Sequence, residues 1–353
     1  MWSDTSQREV QVVSSEWSIN QVMDALLLAL RGDGPALGFG EITHTHVPEK
    51  CAVIIPTSGS SGTPKEVALS ASALIASARA SNNFLAASPG QRWSLLLPLT
   101  HIAGVNVLVR SIELGTIPLT SENIDAQVDF TAIVPTQLHR ALSKDAHLLE
   151  HLKNCKAVLV GGAASDPTLL EAARVAGINV ITTYGMSEKS GVSIYNNSPI
   201  GDTEFRINDD GRIELKGSSK AMGYLSRESF GEWFVTSDLG EIRDGKLFVK
   251  GRADDQVNTG GEKVSLSALD DLLHEKFPRL RFASFAIKDS EWGEKIALAS
   301  DGSMDAELIR SAVREQFGAY AVPKEYFFGV EIPLISIGKP DRVRLSEQYG
   351  GKN

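Results

Sequence analysis

The chain has 353 residues, long enough for a large domain and a small one with separate cores. With 42% hydrophobic and 22% charged residues it falls outside the disordered and fibrous classes. Its 44 acidic residues outnumber 35 basic ones, for a net charge of -9, and no dense basic run is interleaved with aromatics, which argues against a nucleic-acid partner.

The start, Met1-Trp2-Ser3-Asp4, lacks the basic-then-apolar order of a secretory signal. The apolar run Ala25 to Leu30, between Asp24 and Arg31, is too short to span a bilayer and reads as a buried helix. Cys51 and Cys155 each adjoin an apolar run, which favours reduced core thiols over a disulfide and a cytoplasmic location. Strands are predicted at Ala52 to Pro56, Ser94 to Pro98, Phe130 to Pro135, Lys156 to Val160 and Ile178 to Thr183. Helices are predicted between them, notably Ser70 to Phe84 and Asp166 to Ala176, the latter with an Asp N-cap and Pro167 at its first position. That rhythm predicts an α/β fold with buried, largely parallel strands. Beyond Pro199 the texture changes to short alternating segments such as Arg212 to Lys216 and Lys246 to Lys250, the pattern of antiparallel hairpins. The cluster Gly251-Arg252-Ala253-Asp254-Asp255 then marks a domain boundary, followed by a strand and a helix predicted at Phe282 to Ile287 and Ala306 to Phe317.

Directly after the first of these strands comes Thr57-Ser58-Gly59-Ser60-Ser61-Gly62-Thr63-Pro64-Lys65. Small residues let the backbone close on an anion, hydroxyls and N–H groups supply donors and Lys65 supplies charge, a combination suited to ATP phosphates. A flexible linker would not sit tight against a buried strand and end in Pro-Lys. A Walker A loop needs Gly-Lys followed by Ser or Thr, whereas Pro64 precedes Lys65 here and Glu66 follows it.

At these residues the sequence resembles the ANL superfamily of acyl-CoA synthetases, peptide-synthetase adenylation domains and luciferases. The resemblance implies a large N-terminal ATP- and acid-binding domain (1–251), a hinge (252–255) and a small mobile α+β domain (256–353). It also implies use of ATP, Mg²⁺ and coenzyme A. Thr183-Tyr184-Gly185-Met186-Ser187-Glu188 matches the segment whose Tyr stacks on adenine and whose Glu binds Mg²⁺, which puts Tyr184 and Glu188 in those roles. Thr236-Ser237-Asp238 resembles the motif whose Asp holds both ribose hydroxyls. Arg252 is implied on the ribose, Asp254 as pivot, and Gly260-Gly261-Glu262-Lys263-Val264 as the loop brought to the CoA channel. Gly338-Lys339-Pro340-Asp341-Arg342 resembles the motif whose Lys bridges carboxylate and α-phosphate, so Lys339 joins Lys65 and Glu188 as a candidate catalytic residue. Departures are mild: Lys189 stands where many relatives have Thr, and Asn258 replaces a common Lys.

The resemblance runs from Cys51 to Arg342, with a shortened region before the phosphate loop, where an N-terminal subdomain is reduced or absent. This short form, and Leu97-Pro98-Leu99-Thr100-His101-Ile102-Ala103-Gly104, resemble actinobacterial o-succinylbenzoate-CoA ligases of menaquinone synthesis. The acid is then implied between His101, the loop Val160-Gly161-Gly162-Ala163-Ala164 and the stretch before Tyr184, with the nucleotide also touching Gly162 and Ala163. His101 shapes that pocket, gates the pantetheine tunnel or caps a helix. A dicarboxylate leaves a second carboxylate needing a cation or donors, for which Arg110, His139 and Arg140 are candidates. Other readings are a ligase for another aryl or short acyl acid, a domain that loads a carrier protein, and a non-catalytic nucleotide sensor. A monomer and a homodimer are equally compatible with the sequence.

Overall fold

The computed structural model describes residues 7–57, 65–120, 127–163, 165–226, 229–259, 262–289, 293–334 and 340–350. It divides into two compact units, one of Met1–Asn208, Ile213–Thr236 and Ile242–Phe248, the other of Asp209–Arg212, Ser237–Glu241 and Val249–Asn353.

The first unit opens with strand β1 (Gln7–Val12) and helix α1 (Ile19–Arg31). Ser18 and Gln21 form a capping box at the start of α1, and Gly32, left-handed at φ 84°, ends it. Val22, Met23, Leu26 and Ala29 bury its apolar face, so the run expected to be a buried helix is one. Strands β2 (Ala36–Gly38), β3 (His46–Pro48), β4 (Cys51–Thr57) and β5 (Lys65–Ser70) follow, then helix α2 (Ala71–Phe84), capped by the Ser70 hydroxyl at the Ala73 amide. Cys51 and Cys155 are free and buried, and burial pushes both thiols up to about 12.

The chain then runs through β6 (Trp93–Leu95), α3 (Ile102–Glu113), β7 (Leu119–Thr120), β8 (Phe130–Ile133), α4 (Pro135–Ser143), α5 (Ala146–Asn154), β9 (Ala157–Val160), α6 (Pro167–Val175) and β10 (Val180–Met186). Helix α6 starts as its sequence requires, with the Asp166 carboxylate accepting from the Thr168 amide and Pro167 in the first turn. Strands β6 to β10 pair in parallel, and β11 (Gly191–Tyr195) and β12 (Ser198–Pro199) extend the sheet antiparallel beyond β10. Strands β13 (Glu204–Ile207) and β14 (Arg212–Lys216) form the expected hairpin, Phe205 opposite Leu215. Strand β15 (Gly223–Tyr224) returns to β5, Tyr224 opposite Val67.

The second sheet bears out the expected parallel strands from β6 to β10, whereas the first, in the order β15-β5-β4-β2-β1-β3, is mixed. Pairs β4–β5, β5–β15 and β1–β3 are antiparallel, and only β1–β2 and β2–β4 are parallel. The connection from Thr57 to Lys65 is long enough for a hairpin and too short for a parallel crossover.

Strands β16 (Phe234–Arg243) and β17 (Lys246–Arg252) straddle the division between the units. The second unit continues through a 3₁₀ turn at Ala253–Asp255, then β18 (Gln256–Thr259), β19 (Glu262–Ser265), α7 (Leu266–Lys276), β20 (Phe282–Asp289), β21 (Gly293–Ser300), α8 (Ala306–Phe317), β22 (Glu325–Phe328) and α9 (Arg342–Tyr349). Strands β20 and β21 alternate strictly: Phe282, Ile296 and Leu298 pack with α7 and α8, while Phe285, Ala297 and Ala299 pack with Leu345 of α9.

Candidate active site

The ends of the predicted phosphate loop are one cross-strand pair. Thr57 lies opposite Lys65 in the β4–β5 hairpin, and its hydroxyl donates to the Lys65 carbonyl at 3.2 Å. Ser58, Gly59, Ser60, Ser61, Gly62, Thr63 and Pro64 lie outside the described residues. The Lys65 ammonium stands 5.2 Å from the centre of the Tyr224 ring, within cation–π range. Behind it, the buried Glu66 carboxylate accepts from the Thr43 amide and hydroxyl and meets His44 Nδ1, which fixes the strand that carries Lys65.

Glu188 lies in the 3₁₀ turn Ser187–Lys189, directly after β10. Pairing of β10 with β11 shifts register between Tyr184 and Gly185, a bulge of the kind that bends a strand and re-aims its side chains. The Tyr224 hydroxyl donates to Glu188 Oε1 at 2.7 Å, and the Ala221 amide donates to the Glu188 carbonyl at 2.9 Å. One phenol thus joins the two groups that the sequence put on ATP phosphates and on Mg²⁺. Sequence reasoning missed Tyr224: Met222-Gly223-Tyr224 has no local signal, and its meaning comes from a pairing with β5 far back along the chain.

The loop after β9 meets β10 at Thr183. A side chain at Gly161 would stand 2.0 Å from Thr183 Oγ1, and Gly162 has φ +82°, so each glycine is required by local geometry. Thr183 Oγ1 donates to the Val160 carbonyl at 3.3 Å, and Ala163 closes the described part of this loop. Tyr184 and Met186 are half-buried against Ile194, Ile213, Leu215 and Leu247, while Gly185 is exposed. These groups gather beyond the carboxyl ends of parallel strands, where open α/β sheets bind ligands.

His101 is the N-cap residue of α3, but its side chain makes no capping bond, and burial lowers its pKa. Of the candidate partners for a second carboxylate, His139 and Arg140 are exposed, and Arg140 pairs with Asp145 at 3.3 Å. Arg110 is buried, its guanidinium 4.8 Å from the Trp93 ring and its Nη2 3.5 Å from the Tyr195 hydroxyl. Its Nε has no hydrogen-bond partner among the described residues, and burial pushes its pKa down. A cavity of about 570 Å³ lies beside Leu95 to Leu99, Gln137 and Arg140. It excludes Lys65, Tyr224 and Glu188, so it is distinct from the phosphate end of the site.

In the second unit, Asp238 is half-buried on β16, Arg252 ends β17 and Asp254 lies in the 3₁₀ turn Ala253–Asp255. Gly260, Gly261 and Lys339 lie outside the described residues. Among the described residues no group of three or more His, Cys, Asp or Glu could hold a metal. Glu188, with Oε1 taken by Tyr224, offers a single hard oxygen. That donor set fits Mg²⁺, which binds through one or two carboxylates together with substrate phosphates and water, and does not fit Zn²⁺.

A sequence profile of the AMP-binding enzyme family matches residues 5–220. The "Probable 2-succinylbenzoate–CoA ligase" of Mycobacterium tuberculosis (strain H37Rv) is 34% identical over 94% of this chain and 96% of its own length. The chain belongs to the AMP-binding enzyme family. The 2-succinylbenzoate–CoA ligase of Lactococcus lactis is 26% identical over 84% of this chain and 71% of its own. The fold of this AMP-binding enzyme is shared by o-succinylbenzoate CoA synthetase (MenE) from Bacillus subtilis, solved with its acyl-adenylate intermediate, at a TM-score of 0.76 and 22% identity over 98% of this chain and 84% of that one. The amide bond synthetase McbA of Marinactinospora thermotolerans shares it at a TM-score of 0.74 and 23% identity, over 96% and 79%. The ANL architecture expected from the motifs is therefore the architecture found.

Proposed function

We propose that this AMP-binding enzyme is an AMP-forming 2-succinylbenzoate–CoA ligase that uses ATP, Mg²⁺ and coenzyme A. The observation that carries this reading is the convergence of Lys65 and Glu188 on Tyr224, beyond the carboxyl ends of parallel strands, in a chain that matches a 2-succinylbenzoate–CoA ligase over nearly its whole length.

A carboxylate oxygen of the acid attacks the α-phosphorus of ATP, the bond to pyrophosphate breaks, and acyl-AMP forms. The thiolate of CoA then attacks the acyl carbon, a C–S bond forms, and AMP leaves with the electrons of the broken C–O bond. Two anions meet in the first step, so fixed cations must stabilise it. Lys65 and the donors from Thr57 to Thr63 hold the leaving pyrophosphate. Glu188, oriented by Tyr224, supplies the carboxylate that Mg²⁺ needs to neutralise phosphate charge. Tyr184 stacks on adenine, Asp238 and Arg252 hold the ribose, and Lys339 spans carboxylate and α-phosphate. The small domain turns about Asp254 to exchange Lys339 for Gly260-Gly261 at thioester formation. ATP and CoA chemistry and the two reduced thiols fit the cytoplasm.

The test is product identification by mass spectrometry after incubation with ATP, Mg²⁺, CoA and a panel of aryl and short acyl acids. The reading requires 2-succinylbenzoyl-CoA and AMP from 2-succinylbenzoate. A larger yield of thioester from a monocarboxylate would reassign the substrate.

A further inference from the structure

Glu188 is the second residue of a four-residue hairpin loop, 187–190, closed by the β10–β11 pair Met186 and Gly191. Ser190 ends the loop in the left-handed region at φ 49° and ψ 35°, a conformation that an L side chain resists. Its amide donates to the Ser187 carbonyl at 3.0 Å. Its carbonyl is taken by helix α3, where Asn106 Nδ2 donates to it at 2.9 Å. Asn106 and Ser190 are both fully buried. The fit is close, since a Cβ at Gly191 would stand 1.7 Å from Asn106 Nδ2. A different part of the chain also holds the loop, through the Ala221 amide and the Tyr224 hydroxyl, both of which donate to Glu188.

We propose that Asn106 is a positioning residue for the Mg²⁺ ligand: by fixing the Ser190 carbonyl it sets the backbone of the loop and, with it, the direction of the Glu188 carboxylate. This rests on the reading of Glu188 given above. The sequence neighbours of Asn106, namely Val105, Val107 and Leu108, are apolar and fully buried. An amide in such surroundings is desolvated, and its Oδ1 finds no partner among the described residues, so the residue weakens the core it sits in. What it supplies is one directed N–H, to one carbonyl, two residues beyond Glu188. Only the nitrogen of the amide can face that carbonyl, which fixes the orientation of the side chain. Tyr224 thus aims Glu188 through its carboxylate oxygen, and Asn106 aims it through the backbone that carries it.

Asn106→Leu keeps the shape of the side chain and removes the donor. In calorimetric ATP titrations at graded Mg²⁺, it is expected to raise the Mg²⁺ concentration needed for half of the full ATP affinity about tenfold, while affinity for metal-free ATP stays within about twofold of wild type. Its melting temperature is no lower, because the unpaired buried oxygen is gone as well. Asn106→Ala makes the same comparison should Asn106→Leu fail to fold. Glycine takes the left-handed conformation unaided, so Ser190→Gly added to Asn106→Leu brings the Mg²⁺ requirement back towards wild type. Deuterium uptake across residues 187–191 rises in Asn106→Leu. Unchanged uptake, or a Mg²⁺ requirement that rises only in step with lost affinity for metal-free ATP, overturns the proposal. Glu188→Gln is measured in parallel. An unchanged Mg²⁺ requirement there removes the reading of Glu188 and the proposal with it, whereas a raised one beside an unchanged one in Asn106→Leu removes the proposal alone.

Discussion

Lys189, the residue after Glu188, is wholly buried, and its ammonium has no hydrogen-bond partner among the described residues. Burial is the main influence on it and pushes its pKa from 10.5 down to about 8, against an attraction to Asp202 and with a smaller repulsion from Lys220. A fall from 10.5 to about 8 corresponds to about 3 kcal/mol of stability lost while the buried amine is charged. Between pH 8 and 10.5 the unfolded chain binds a proton that the folded chain does not. Stability therefore rises with pH across that window, and the penalty is fully present below it. Lys189→Met keeps the length of the side chain and removes its charge, so it should stabilise the protein by about 2 to 3 kcal/mol at neutral pH. The gap between variant and wild type should then narrow as the pH is raised towards 10.5. Denaturant unfolding of both proteins over a pH series measures this. A variant no more stable than wild type at neutral pH, or a gap independent of pH, would refute the reasoning.

Tyr224→Phe keeps the ring beside Lys65 but removes the donor to Glu188, and should weaken Mg²⁺-dependent ATP binding by about 1.5 to 3 kcal/mol, the worth of a hydrogen bond to a charged group. Calorimetric ATP titrations at graded Mg²⁺ check it, and unchanged Mg²⁺ dependence would show that the phenol is not needed to orient the carboxylate. Asp238→Ala should weaken ATP binding by about 1.5 to 3 kcal/mol with the fold intact; unchanged affinity would leave Asp238 a residue of β16 with no part in holding the ribose. Lys339→Ala should lose acyl-AMP formation yet convert supplied acyl-AMP, while Asp254→Pro, which fixes φ at the hinge, should do the reverse. Equal loss of both steps in each variant would mean one static site.

What the sequence disclosed was local. The loop ending in Pro64-Lys65, the Asp166-Pro167 helix start and the strand leading to Glu188 are each written in contiguous residues. What it hid was long-range. Strand β1 escapes a hydrophobic pattern because its buried inward residue is Arg8, satisfied by the carbonyls of Ala29, Gly34 and Cys51. Tyr224 owes its place to pairing with β5, and Arg342 owes its partners Asp255 and Asp270 to the folding of the second unit. The antiparallel β4–β5 hairpin escaped because continuous apolar runs look alike in parallel and antiparallel buried strands.

The claim that the site joins a carboxylate to the α-phosphate of ATP is tested most directly by isotope exchange without CoA. The protein is incubated with ATP, Mg²⁺, 2-succinylbenzoate and labelled pyrophosphate, and label in ATP is counted. The account predicts exchange that requires the acid and disappears in Lys339→Ala. Exchange that proceeds without the acid, or acid-dependent release of ADP and phosphate in place of exchange, would contradict it.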